Sequence, residues 1–205
     1  MLEKLIIDNY KTNRYNGIIE TNNCFYIRLR ITGTGITIRP VGIYCIFEER
    51  LKNEYCKTAA MQHFANLPII KGHSNNSFIS SDNLYNNVIV GQTITSYIVN
   101  DDIWGVARFY DKKLLNLLGS GDYTSTSPAV SVINIDYLTT VQHLPSNLNI
   151  DYSKCLFLLD KNTKMPLKII EKPYEMNHLA LVKEGHWDQV KGSHGFDNNF
   201  TITKL

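Results

Sequence analysis

No run of apolar residues approaches the length of about eighteen that a membrane-spanning helix needs. The opening stretch, "MLEKLIIDNYKTNRY", carries Glu3, Lys4 and Asp8 and lacks the apolar centre of a secretory signal. No block of Lys or Arg stands out, and the formal net charge over 205 residues is only +2, so nucleic-acid binding is not expected as the main activity. The four cysteines, Cys24, Cys45, Cys56 and Cys155, form no C-x-x-C pair. They read as buried free thiols of a reducing compartment rather than as disulfides or zinc ligands. Neither H-x-H nor H-E-x-x-H occurs, so no metal and no cofactor is expected. Together these absences describe a soluble, cytoplasmic protein with no membrane partner.

What is present suits a globular core. The apolar fraction is 43% and the charged fraction 20%, ordinary values for a domain of this size. Residues 24–32, "CFYIRLRIT", alternate as a strand, "GTG" at 33–35 reads as a turn, and "ITIRPVGIYCIFEE" continues extended past Pro40 and Gly42. The spacing of Leu51, Tyr55, Ala59 and His63 predicts one amphipathic helix ending before Pro68. A short strand, "LPIIK", leads to Gly72–His73 and a polar loop. "NNVIVGQTITSYIV" and "IWGVARFYD" flank Asn100–Asp101–Asp102 and predict a hairpin. "KKLLNLLGSG" is a short helix, "YTSTSPAVSVINIDYL" a strand, and residues 138–153 a polar connection. A second hairpin is expected around "KNTKM", and "HLALV" supplies the last strand. The pattern predicts an α+β fold centred on a mainly antiparallel barrel or strongly twisted sheet with a few flanking helices. It occupies residues 1–183, followed by a loosely ordered tail over 184–205.

Two of the six histidines differ from the rest. His63 on its helix reads as structural, His143 lies in a polar connection, and His186 and His194 fall in the tail. His73 ends a strand just after Gly72, where the chain can turn and present the ring. His178 heads the apolar run "HLALV". In "YTSTSPAVSV", alternation puts Tyr123, Ser125, Ser127, Ala129 and Ser131 on one face and Thr124, Thr126, Pro128, Val130 and Val132 on the other. Pro128 cannot donate to a ladder, so this part of the strand is expected at an edge, a bulge or the strand's start. A polar strand face is the commoner meaning of such serines. A serine nucleophile needs a base within hydrogen-bond reach, and His73 and His178 are the candidates.

"LPIIKGH", "VIVGQTIT", "TSPAV" and "NHLALV", with the earlier "LRITGTGITIRPVGIY", resemble the phage prohead proteases over most of residues 25–183. The resemblance implies a capsid-maturation serine endopeptidase that cuts scaffold and capsid-protein segments inside the immature head, in the cytoplasm of the bacterial host. It also implies a fold like that of the herpesvirus assemblin proteases, in which a dimer is one arrangement. The family's chain order His, Ser, His falls here on His73, Ser127 and His178. Two departures stand out: Lys71 takes the place of an acidic residue before Gly-His, and Pro128–Ala129 follow the serine where a small residue and glycine are common. Ser125 and Ser131 therefore remain alternatives to Ser127, and backbone N–H groups or Arg108 are the oxyanion candidates. A capsid-assembly or scaffold-associated protein that keeps the fold without the activity is the rival expectation, and a non-viral hydrolase a weaker third.

Overall fold

The computed structural model describes residues 1–12, 17–41, 44–73, 89–140, 167–185, 187–188, 194–196 and 201–205. Cys155, His143, His186, the polar loop after His73 and the expected turn at 161–165 lie outside these residues, as does the side chain of Cys45. Of the remaining cysteines, Cys24 is buried and Cys56 half-buried, and both are free thiols. Among the described residues no helix is long and apolar enough to cross a membrane.

Among the described residues, ten strands and four short helices follow one another: α1 (Leu2–Lys11), β1 (Ile18–Glu20), β2 (Phe25–Thr32), β3 (Gly35–Val41), β4 (Tyr44–Arg50), α2 (Lys52–Tyr55), α3 (Thr58–Phe64), β5 (Pro68–Lys71), β6 (Ile89–Val99), β7 (Asp102–Phe109), α4 (Leu114–Gly119), β8 (Ser125–Thr140), β9 (Leu167–Val182) and β10 (Ile202–Lys204). They form one mixed sheet in the order β10-β1-β2-β7-β6-β5-β9-β4-β3, with β8 paired to β9 off that path. The fold is α+β, as the sequence predicts, but the sheet is open. No ladder joins β8 to β2, so the closed form of the barrel expectation does not hold.

The alternation of β2 explains how the sheet curls. Phe25, Ile27, Leu29 and Ile31 lie on one face and gather with Ile69, Ala107, Phe109, Leu179 and Leu181 into a single cluster. Phe25 and Phe109 stack with ring centroids 5.0 Å apart. Strands from β2 round to β9 can share one cluster only if the sheet rolls about it, and the right-handed twist of neighbouring strands supplies that curvature. The roll brings the free edge of β8 beside β2, where Thr126 Oγ1 donates to the Arg30 carbonyl.

The segment 49–67 does not form one helix. It breaks at Cys56–Lys57, where Lys57 is extended (ψ 147°). The break advances the phase by one residue, so Tyr55, Ala60 and Phe64 are buried while Ala59 and His63 are exposed. The hairpin between β6 and β7 turns as expected through Asn100 (φ 48°) and Asp101 (φ 70°), both in the left-handed region, a pairing whose twist matches the flanking strands. The helix α1 has no counterpart in the sequence reading. It lays Ile6 and Tyr10 on the outer face of the sheet against Ile19, Tyr26 and Val106, and Tyr10 donates to the Gly17 and Tyr26 carbonyls.

Among the described residues of the expected tail, Trp187, Asp188 and Phe196 are buried, and β10 runs parallel to β1 with Ile18 opposite Ile202. Two buried aromatic residues spaced among Gly, Ser and Asn leave no periodic signal in the sequence.

A buried ionic group ties β4 to β9. Arg50 bonds Glu48 at 3.0 Å and Glu171 at 3.3 Å, Tyr55 donates to Glu171, and the guanidinium lies 5.5 Å from the rings of Tyr55 and Trp187. Removing one member of such a group strands the others in a low-dielectric interior. Arg50→Ala is expected to lower the free energy of unfolding by about 3–5 kcal/mol in urea titrations. A loss below about 1 kcal/mol would show that water reaches the two carboxylates.

Candidate functional site

The C-terminal half of β9 is paired on both sides. On one side β5 runs parallel, with Ile69 opposite Leu179 and Ile70 opposite Ala180. On the other, β8 runs antiparallel, with Ser125 opposite Val182, Ser127 opposite Ala180 and Ala129 opposite His178. Opposed residues project to the same face of a sheet. Leu179 and Leu181 point into the roll with the main cluster. His178, Ala180 and Val182 therefore share the outer face with Ser125, Ser127 and Ala129, and with Ile70 of β5.

Ser127 and His178 are diagonal neighbours on that face, with Cβ atoms about 7 Å apart by strand geometry. The other two corners of the square are Ala180 and Ala129, both small residues. Ser127 is half-buried, and among the described residues its hydroxyl has no hydrogen bond.

His73 reaches the same place from β5. Gly72, at φ +67°, takes a conformation that a side-chain-bearing residue adopts only with strain, and its N–H donates to the Leu181 carbonyl at 2.9 Å. The chain turns there, and the His73 ring meets the His178 ring edge-on, with centroids 5.8 Å apart and planes at 65°. His178 is fully buried, whereas His73 keeps solvent contact.

Asn177 has a role the sequence reading did not assign. The β8–β9 register shifts between Ala129, opposite His178, and Val130, opposite Met176. Asn177 is the extra residue of this bulge, a device that re-aims side chains beside a site. Its Oδ1 lies 2.9 Å from His178 Nδ1. An amide oxygen only accepts, so Nδ1 carries the proton and Nε2 of the neutral ring is a bare acceptor. Nε2 is buried and has no hydrogen-bond partner among the described residues.

Burial, then the neighbouring His73, pushes the His178 pKa down to about 4, and burial also lowers that of His73. Both rings are thus neutral at pH 7. Of the two, His73 is the ring that keeps solvent contact.

The alternatives separate cleanly. Ser125 is buried and its hydroxyl donates to Asp188 Oδ1 at 2.8 Å, so it cannot meet a substrate. Ser131 stands opposite Glu175, beyond the bulge from His178. Arg108 is excluded as an oxyanion ligand. It pairs with Glu3 of α1 at 2.8 Å, and β7 is separated from β9 by β6 and β5, roughly 14 Å of sheet. Backbone N–H groups near Ser127 remain. Pro128 lies on an edge strand one residue from a bulge position, as its missing donor requires. Among the described residues no cluster of His, Cys, Asp and Glu has the arrangement to hold a metal.

No family model, curated protein or solved structure matches this chain.

The buried neutral His178 makes stability depend on pH. Its pKa is depressed in the folded state, so the unfolded chain binds the extra proton first. The stability this provides is complete above pH 6.5 and is lost as pH falls from 6.5 toward 4. Its size is roughly 3 kcal/mol. The midpoint of thermal unfolding should fall across that window in the native protein, and His178→Gln should flatten the fall. An unchanged slope in the variant would mean that other groups titrate there.

Proposed function

We propose that this chain is a serine endopeptidase of the phage prohead maturation type, with Ser127 as nucleophile, His73 as general base and His178 as the residue that orients His73. The observation that supports this reading best is the edge-on contact of His73 and His178 on the face that β8–β9 pairing gives to Ser127.

In this mechanism Ser127 Oγ attacks the scissile carbonyl while its proton passes to His73. Collapse of the tetrahedral intermediate returns that proton to the leaving amine, and water repeats the sequence on the acyl-enzyme. As His73 takes the proton, its other N–H would be accepted by His178 Nε2, the place a carboxylate takes in the Ser-His-Asp arrangement. Asn177 fixes the tautomer that makes this possible. A neutral imidazole stabilises the imidazolium of the transition state less than a carboxylate does, so turnover is slow. Slow cleavage suits an enzyme enclosed with its substrates, the scaffold and capsid-protein segments of an assembling head. The second reading is a capsid-assembly protein that keeps the fold without cleaving. It draws on Ser127, whose hydroxyl lacks a hydrogen bond to either ring among the described residues.

A fluorophosphonate probe separates the two. The protease reading expects one adduct per chain on the peptide containing Ser127, lost in Ser127→Ala. His73→Ala should slow labelling by about 10²–10⁴-fold, and His178→Ala by less. Because burial lowers the His73 pKa from 6.5, the neutral base persists into mild acid, and the acid limb of the labelling rate should fall below pH 6.5. No adduct at any pH would favour the assembly protein.

A further inference from the structure

The free edge of β8 is not left to itself. Beside β8 and β2 lie Gly185, Asp188 and residues 194–196, and among the described residues their bonds run to Arg30 of β2 and to Thr124 and Ser125 at the start of β8. Asp188 is buried, and its Oδ1 accepts from Arg30 Nη2 of β2 at 2.6 Å and from Ser125 Oγ of β8 at 2.8 Å. Its Oδ2 accepts from the Gly185 N–H at 2.8 Å, and His194 Nδ1 lies 3.5 Å away. Backbone bonds repeat the link: Arg30 N–H donates to the Gly195 carbonyl at 2.7 Å, and Phe196 N–H to the Thr124 carbonyl at 3.3 Å.

The fit around Ser125 is close on both sides. A Cβ on Gly185 would stand 2.5 Å from Ser125 Oγ, and one on Gly195 would stand 2.9 Å from Ser125 Cα. Two glycines thus sandwich the serine two positions from Ser127, on the same face of the strand. Beyond that clasp, among the described residues, β8 is paired on one side alone, to β9. The ladder there is interrupted by the bulge at Asn177.

We infer that Asp188 is a positioning residue, which fixes Ser127 against the imidazole pair by bonding Ser125 to Arg30. This inference rests on the reading of Ser127 as nucleophile. It gives Asp188 a part in the reaction through Ser125 rather than through the reacting atoms. A lateral drift of the hydroxyl by about 1 Å is enough to cost up to 10²-fold in rate, and an edge strand interrupted by a bulge has that freedom unless its other side is tied.

The test uses the full chain and the fluorophosphonate probe, with the maximal labelling rate separated from the probe concentration at half-saturation. Ser125→Ala and Asp188→Asn should each lower the maximal rate by about 10- to 100-fold and leave the half-saturating concentration unchanged. The double variant should lose no more than the worse single one, since both cut the same link. Amide hydrogen exchange at Thr126, Ser127 and Ala129 should quicken in the variants, while that of β7 should not. Ser125→Ala removes only one hydroxyl and keeps the inference testable where Asp188→Asn fails to fold. If the native chain labels at Ser127 and a folded Ser125→Ala labels at the native rate, the positioning role is wrong and the nucleophile stands. If the native chain does not label at all, the nucleophile reading fails and takes this inference with it.

Discussion

The structure depends on the two-sided pairing of β9. Between Leu179 and Leu181 this strand holds β5 on one side and β8 on the other, and further back, at Phe47–Arg50, it also holds β4. Three segments far apart in sequence become neighbours because each bonds to the same strand. The alternation of β9 then divides the labour. Leu179 and Leu181 anchor the strand in the main cluster, and the outward side chains inherit that rigidity without contributing to the core themselves. A histidine in the midst of an apolar run is thus a group held still by its neighbours' burial.

Burial has a second effect, on chemistry. The same packing that immobilises His178 withholds its charge, and Asn177 decides which nitrogen keeps the proton. An imidazole in this state is an acceptor with one direction open. Its environment has made it less like free histidine and more like a fixed oxygen, able to orient a second ring but poorly able to share a positive charge with it.

Much of this was legible in the residues. The strands at 25–32, 89–99 and 102–109 follow from alternation and from the Asn-Asp turn, and Pro128 narrows its part of β8 to an edge, a bulge or a strand start. The proximity of His73 to His178 was an expectation of the family resemblance, and the register of three strands brings it about. What was not legible has physical reasons. The break at Cys56–Lys57 costs a single residue of phase, too little to disturb a helical pattern. Asp188 and Trp187 act at long range, each as an isolated residue among polar ones, and a contact between residues 30 and 188 leaves no trace in local sequence. Asn177 was visible only as a neighbour of His178, because a bulge is a property of two strands together.

The register shifts of the β8–β9 ribbon have a further consequence. Four interruptions separate the pairs at Ser127 and Ala129 from those at Thr139 and Thr140. Each is a joint at which one strand gains or gives up a residue without moving the pairs on the other side. The far arm of the ribbon can therefore lengthen, shorten or change its twist over evolutionary time while the near arm keeps its alignment. Insertions and deletions there are absorbed by the ribbon, so divergence in that arm says little about whether the near arm still works.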